Sequence, residues 1–289
     1  MRIVILGKNG QLGEALVRQF KKTSIEVFAF GHNDCDIANF SLVEKKLSKI
    51  SPDVIINTTA FHVVPLCETN PQEAFLVNAS AVKNLAEICR KIRAVFVTIS
   101  TDYVFDGLYG KPNNETTVPN PVQVYGISKL AGEHCALAYN PKTYVIRTCG
   151  VYGGKEGSRS KKGNFVLSIL SAINKKESLE VSSEQIVNPT YTVDIANAIR
   201  KILNKNLPFG IYHLTNEGYC SWADFAKEII KLSNGSLKIV PVDRHAVDKS
   251  GMRRPKFSAL ANTKAKKHGI SLPVLEDALK RYLRFLSQS

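Results

Sequence analysis

The sequence predicts an α/β fold: a Rossmann-type, doubly wound parallel sheet with a smaller C-terminal α/β substrate lobe interwoven with it. Three observations carry this prediction. The first half of the 289 residues alternates short apolar runs with segments of helical period, the pattern of βαβ units. Those apolar runs lack polar alternation, so each strand needs cover on both faces. A glycine-rich turn directly follows the first run, where such sheets receive a phosphate.

The elements follow in order. Ile3 to Leu6 is a buried strand, and Gln11 to Phe20 a helix with Leu12, Leu16 and Phe20 on one face. Val27 to Phe30 is the second strand. A helix follows from about Ser41, where Ser41-x-x-Glu44 has capping-box spacing. Val54 to Ile56 is the third strand, Glu73 to Lys91 a long helix, and Val95 to Ile99 the fourth strand. Leu130 to Ala138 lies in a helix and Tyr144 to Ile146 is the fifth strand. Beyond about residue 150 the rhythm loosens, and Gly153 to Gly163, rich in Gly, Ser and Lys, reads as a mobile loop. Thr192 to Asn204 is helical again, Ile211 to Leu214 is a short strand, and Ser221-x-x-Asp224 caps a further helix. Val274 to Leu286 closes the chain as a helix. The expected division is 1–150 with 190–213 returning to it, against a lobe of 151–189 and 214–289.

Composition narrows the function. A hydrophobic fraction of 44% and a charged fraction of 22% are ordinary for a globular protein. The six cysteines show no C-x-x-C pair and no His at ligand spacing, which fits reduced thiols rather than disulfides or zinc. The first apolar run is too short for a signal peptide, and no stretch reaches membrane-span length; a cytoplasmic protein is expected. The net charge of +14 comes from dispersed lysines such as Lys45-Lys46, Lys161-Lys162 and Lys264 to Lys267, without interleaved aromatics. Neither nucleic acid nor membrane is therefore an expected partner. A solvated basic surface, or one favouring an anionic small substrate, accounts for the charge.

The turn Gly7-Lys8-Asn9-Gly10-Gln11-Leu12-Gly13 has the spacing G-x-x-G-x-x-G between strand and helix. Gly7, Gly10 and Gly13 permit a tight turn and close approach of backbone to a pyrophosphate, whose charge the helix N-terminus favours. A dinucleotide is the expected cofactor. The second strand ends Phe30-Gly31-His32-Asn33, with no carboxylate before Asp34. That vacancy for a ribose-binding acid, with Lys8 and His32 near, favours NADP(H) and leaves NAD(H) admissible. Asp36-Ile37 either flanks the adenine, or Asp36 caps the next helix. Asn57 to Phe61 places small residues, Ala60 among them, where a cofactor crosses the strand ends.

Tyr125-Gly126-Ile127-Ser128-Lys129 sets a phenol and an ammonium at i and i+4 of a helix start. The ammonium is expected to lower the phenol's pKa from about 10 toward the working pH. Such a tyrosine can protonate a carbonyl oxygen as hydride reaches its carbon. Ser100-Thr101 ends the fourth strand and offers a hydroxyl to the same carbonyl.

These residues resemble the dTDP-4-dehydrorhamnose reductase family of extended short-chain dehydrogenases. The resemblance spans essentially the whole chain. It rests on GKNGQLG, on STDYVFDG from Ser100 and on VYGISKLAGE from Val124, with weaker echoes at RTCGVYGG, GNF, NPT, GIYHL and RRPKFSAL. It implies hydride transfer to C4 of a nucleotide-linked 4-keto-6-deoxy sugar, with Thr101, Tyr125 and Lys129 catalytic and Tyr125 the acid. Gly10, Gln11, Leu12, Asp36, Ile37, Ala60, Phe61 and Ile99 would contact the cofactor, and Lys129 its nicotinamide ribose. Thr101, Asp102 and Tyr103 would face the sugar, while Asn164, Arg253 and Arg254 would hold the nucleotide diphosphate. A monomer or homodimer is implied.

Departures touch the sugar side. The family's Arg-Thr-Ser-Trp-Val-Tyr stretch reads Arg147-Thr148-Cys149-Gly150-Val151-Tyr152, which removes the tryptophan wall. Val64 to Glu68 lacks the usual aspartate and lysine ahead of the glutamate, Glu184-Gln185 replaces Asp-Gln, and Val187 replaces a glycine. Some members bind magnesium through glutamates, one of which matches Ala15 here, with Glu14 a residue away; no metal is expected. Another nucleotide-sugar reductase or epimerase uses the same apparatus. A non-catalytic NADP-binding regulatory subunit is the other alternative, and the intact Thr101, Tyr125 and Lys129 speak against it.

Overall fold

The apolar runs pair into one sheet because each has apolar side chains on both faces. The computed structural model describes residues 1–21, 24–158, 160, 163–175, 177–242 and 252–288. In chain order the first part holds β1 (Arg2–Leu6), α1 (Gln11–Lys21), β2 (Glu26–Phe30), α2 (Phe40–Ile50) and β3 (Val54–Asn57). It continues with α3 (Val64–Thr69), α4 (Pro71–Phe75), α5 (Ala81–Lys91), β4 (Val95–Thr101), α6 (Val124–Tyr139) and β5 (Thr143–Thr148). The second part holds β6 (Val151–Tyr152), α7 (Phe165–Lys175), β7 (Leu179–Ser182), β8 (Ile186–Val187), β9 (Thr190–Tyr191), α8 (Thr192–Asn204) and β10 (Gly210–His213). It ends with β11 (Cys220–Ser221), α9 (Trp222–Leu232), β12 (Ile239–Val242), α10 (Thr263–Lys267) and α11 (Leu275–Ser287).

The main sheet has six strands in the order β10-β5-β4-β3-β1-β2, every pairing parallel. Strand period 2 sends Ile3 and Ile5 to one face and Val4 and Leu6 to the other. Ile3 and Ile5 pack with Leu12, Leu16 and Phe20 of α1 and with Ile195, Ile199 and Ile202 of α8. Val4 and Leu6 pack with Val43 and Leu47 of α2, Val82, Leu85 and Cys89 of α5, and Ala136 of α6. The order in which successive strands are added reverses between β1 and β3, so the crevice opens at their carboxyl ends, where ligands of open α/β sheets bind. The turn after β1 and the end of β4 both lie on that edge.

Several local expectations shift. α2 starts at Phe40 rather than Ser41, because Asn39 is the N-cap: its Oδ1 accepts from Leu42 N at 3.1 Å. The Ser41–Glu44 box does not form, and Glu44 pairs instead with Lys91 at 2.6 Å. The long helix expected from Glu73 begins at Pro71 and carries a π-helical turn, Leu76–Ser80, between α4 and α5. Ser221 caps α9 as expected, its Oγ accepting from Asp224 N at 3.0 Å.

A second apolar core marks the smaller lobe, with Tyr152, Val166, Ile169, Tyr191, Phe225, Ile229, Leu279 and Tyr282 buried together. Its strands are short: β6 pairs with β9, β8 with β11, and β7 with β12. Between these elements the chain returns to the main sheet, where β10 lies parallel to β5 and α8 lies on α1. Of the loop expected at Gly153 to Gly163, residues 159, 161 and 162 lie outside the described residues, as does the pair Lys161-Lys162. Ser158 and Gly163 exchange backbone hydrogen bonds of 2.9 Å across its base. The six cysteines are free. Among the described residues, no helix is long and apolar enough to cross a membrane.

Candidate active site

The glycine turn brings backbone close at Gly7, Gly10 and Gly13. Gly7 has φ +86°, and a Cβ there would stand 2.6 Å from Thr58 Oγ1. A Cβ on Gly13 would stand 2.1 Å from the Gly7 carbonyl oxygen, so only glycine lets α1 start this close to the turn. Gly10 is exposed at the tip. The first N–H groups of a helix have no intrahelical partner, and the glycines at this helix start let a phosphate approach the backbone; the site fits a pyrophosphate. Leu12 is buried in the core, and Gln11 turns toward the smaller lobe, its Oε1 accepting from Gly153 N at 3.0 Å and from Asn164 Nδ2 at 3.1 Å.

At the end of β2 an acid is nearer than its place in the sequence suggests. Asp34 Oδ2 folds back to accept from Gly31 N at 2.9 Å and pairs with Lys8 Nζ at 2.7 Å. The Lys8 bond, first among several causes, holds the Asp34 carboxyl below its ordinary range. His32 is exposed and stands 3.7 Å from Asp36 Oδ1. Asp36 does not cap α2; its Oδ1 accepts from Ala38 N at 3.0 Å. Ile37 is buried. Ala60 and Phe61 are half-buried beyond β3, and Ile99 is half-buried on β4.

β4 and the N-terminus of α6 bring the reactive groups together. Thr101 Oγ1 donates to Asp102 Oδ1 at 3.1 Å, accepts from Tyr103 N at 3.2 Å and acts on the buried Tyr125 phenol. Tyr103 meets Tyr125 edge to face, with centroids 5.9 Å apart. The expected lowering of the Tyr125 pKa is reversed. Burial pushes the phenol up, and Thr101 opposes that rise. Burial instead pulls Lys129 down from 10.5 to about 8, against the attraction of Glu133. Spacing of i and i+4 therefore predicted the shared face correctly and the electrostatic outcome wrongly, because desolvation outweighs the neighbour.

Helix α6 is held by residues that carried no signal alone. Gln123 Oε1 accepts from Gly126 N, and Glu68 Oε1 from Val124 N at 2.8 Å, so two acceptors cap α6. A Cβ on Gly126 would meet the Tyr103 carbonyl oxygen at 2.1 Å, and one on Gly132 the Asn78 carbonyl oxygen at 2.1 Å. Asn78, on the π turn, accepts from Phe61 N at 3.0 Å and donates to Phe61 O at 2.9 Å and Ser128 Oγ at 3.0 Å. It ties the loop after β3 to α6. A π turn inside an α-helix often marks a functional site, which is the signal that could have found it.

The residues assigned to the sugar diverge. Asp102 is buried, accepting from Ser258 Oγ at 2.5 Å and hydrogen-bonded to Cys149; burial raises its carboxyl despite those bonds. Tyr103 is hydrogen-bonded to Arg254, and burial pushes its phenol up to about 12. Arg253 is exposed. Asn164 is buried, and its amide is engaged by Gln11, Gly153 O and Tyr282 Oη while its Oδ1 accepts from Leu167 N at 3.0 Å at the start of α7. Gly150 has φ +56°, and a Cβ there would meet Trp222 Cη2 at 3.2 Å, so an indole lies against the backbone where the resemblance lacks its wall. Glu14 pairs with Arg18 at 2.7 Å. Among the described residues no cluster of His, Cys, Asp and Glu could hold a metal.

Comparison with known proteins matches this geometry. The family model described as the RmlD substrate binding domain covers residues 1–287. The spore coat polysaccharide biosynthesis protein SpsK of Bacillus subtilis is 35% identical over 98% of this chain and 97% of its own. A dTDP-4-dehydrorhamnose reductase structure from Clostridium acetobutylicum superposes with TM-score 0.93 at 35% identity, covering 99% of this chain and 100% of that one. The Bacillus anthracis dTDP-4-dehydrorhamnose reductase in complex with NADP gives TM-score 0.92 at 32% identity, over 98% and 99% of the two chains.

Proposed function

The chain belongs to the family of the RmlD substrate binding domain, and from that premise we propose that it reduces dTDP-4-dehydro-L-rhamnose to dTDP-L-rhamnose with NADPH. At the coarser level it is an oxidoreductase acting on a nucleotide-linked sugar, with an NADP-type cofactor. One observation carries the finer reading: Thr101 at the end of β4 and Tyr125 at the start of α6 are brought together, with Tyr103 packed edge to face on the phenol and Lys129 one turn along.

A nicotinamide bound along this edge supplies a hydride to the sugar's C4. Tyr125, kept neutral by burial, gives its proton to the C4 oxygen as negative charge develops there. Thr101 orients that phenol and is itself fixed by Asp102, which Ser258 holds from the far end of the chain. Lys129, charged below about pH 8, stabilises the phenolate left behind. Arg254 beside Tyr103, with Arg253 toward solvent, suits the nucleotide diphosphate. Asn164, with its amide engaged on all sides, we assign to joining the lobes rather than to binding substrate.

The cofactor preference follows from Lys8. A 2′-phosphate would draw Lys8 from Asp34, with exposed His32 adjacent, whereas a free 2′-hydroxyl would donate to the Asp34 carboxylate. NADPH is thus preferred and NADH tolerated. We also propose the division of labour expected from the sequence, with 1–150 and 190–213 holding cofactor and 151–189 and 214–289 holding the sugar nucleotide. The test is oxidation of NADPH by the purified protein with dTDP-4-dehydro-L-rhamnose and identification of the product by NMR. Oxidation stoichiometric with dTDP-L-rhamnose supports the reading; an unreacted sugar with NADP still bound refutes it.

A further inference from the structure

One buried carboxylate in the centre of this site takes no part in the chemistry above. Glu133 is 3% exposed and its partner Arg147 1% exposed. Arg147 Nε donates to Oε1 at 2.9 Å and Nη2 to Oε2 at 2.6 Å, a bidentate pair, and Ser100 Oγ also donates to Oε1. Taking both ions out of water costs several kcal/mol each, and apolar residues of similar volume often hold a fold as well or better. Fold stability alone is therefore a weak reason for the pair.

Its position supplies a better one. Glu133 lies one helical turn beyond Lys129 and two beyond Tyr125, so all three share a face of α6. Ser100 is the residue before Thr101, and Arg147 is its register partner on β5. One carboxylate thus joins the strand of Thr101, the helix of Tyr125 and Lys129, and the strand beneath both. Ser100, Lys129, Gly132 and Glu133 also line one small cleft with Asn78.

We propose that Glu133 is a positioning residue for the Tyr125–Lys129 pair: its carboxylate supplies the counter-charge that keeps Lys129 an ammonium in a dry site, while its bonds to Ser100 and Arg147 hold this helix face against Thr101. The other charged groups around the helix do not replace it. Arg147 lies behind Glu133 and has the same sign as Lys129, and His213 beyond it is held neutral by burial, at about 3. Tyr125 is neutral, and Asp102 on the turn after β4 is engaged by Thr101, Ser258 and Cys149. Glu68 of α3 caps the helix start, and Lys83 and Glu87 of α5 pair with each other at 2.7 Å. Buried Cys67 of α3 bonds to Phe61 O at 3.4 Å.

The proposal rests on the reductase reading only where it predicts turnover. Protein labelled with carbon-13 at the lysine Cε positions reports the titration of Lys129 directly, its signal identified by its loss in Lys129→Met. Glu133→Gln keeps an acceptor for Ser100 and Arg147 but removes the charge, and should lower the Lys129 midpoint by about one pH unit or more. The alkaline limb of kcat/KM should move with it. Glu133→Asp should restore most of the midpoint, and Arg147→Gln, which bares the carboxylate, should raise it. If Glu133→Gln does not fold, Arg147→Gln decides: a raised Lys129 midpoint supports the proposal and an unmoved or lowered one overturns it. Lost activity with an unmoved Lys129 titration would overturn the proposal. Absence of turnover in the unmodified protein would overturn the reductase reading and leave the titration to decide this one.

Discussion

At the residue scale, the proposed mechanism gives proton donation to one phenol. Tyr125→Phe deletes the donor and leaves the glycine cradle intact, so turnover should vanish while NADPH affinity, measured by fluorescence titration, stays roughly constant. Thr101→Ala removes one hydrogen bond to the reacting assembly, and kcat should fall about 10²–10³-fold, roughly 2.7–4 kcal/mol. The pH dependence is set by Lys129, whose folded value of about 8 lies below its ordinary 10.5. Between those values the unfolded chain binds more protons than the folded one, so this group's penalty is fully present below pH 8 and is relieved as pH rises. Activity has the opposite sign: kcat/KM should fall above about pH 8 while chemical denaturation shows no matching loss from this lysine. A kcat/KM flat to pH 10 would contradict Lys129 acting as an ammonium. Thr101, Tyr125 and Lys129 were legible in the sequence because helix period and strand end put them on one edge. Ser258 was not, since it reaches Asp102 across 156 positions of sequence, and no local pattern records such a contact.

At the element scale, α6 is placed by close approach rather than by apolar burial alone. Gly132→Ala would set a methyl against the Asn78 carbonyl, a backbone atom that cannot swing aside. We expect a loss of about 1–3 kcal/mol in urea unfolding, with kcat reduced because Asn78 and Ser128 shift together. A stability unchanged within error would show that the helix has room to move. The β2 end makes a separate prediction. Asp34→Asn frees Lys8 from its ion pair, so the ratio of kcat/KM for NADPH over NADH should rise several-fold; a ratio that falls would assign Asp34 no part in the choice. The sequence reading placed this acid too far along, because the chain turns after Gly31 and Asp34 bonds back to its amide. The α2 boundary was missed for a related reason: Asn39 and Ser41 are both good caps, and only the fold chooses.

At the scale of the whole molecule, a polar knot beside the glycine turn joins the two lobes. Gln11 beside the cradle, Gly153, Asn164 and Tyr282 of α11 share hydrogen bonds of 2.9–3.3 Å, so cofactor turn and substrate lobe are mechanically joined. Asn164→Ala should therefore lower thermal stability and raise the KM for both substrates without changing the pH profile; a selective rise in sugar KM would instead return Asn164 to the diphosphate. The main sheet was legible because long apolar runs repeat in register with helices. The smaller lobe was not, because its two-residue strands pair with partners far away in sequence and have no period of their own. The sugar wall was half legible: the glycine at 150 was plain, and the indole of Trp222 against it was not.

The central claim is hydride transfer to a sugar carbon with Tyr125 as the acid, and isotope transfer tests it most directly. With NADPH carrying deuterium at the transferred position and dTDP-4-dehydro-L-rhamnose as substrate, the account predicts product labelled at C4. One label should appear for each NADPH oxidised, and none with Tyr125→Phe. NADPH oxidation without label at C4, or labelled product from Tyr125→Phe at the unmodified rate, would contradict it.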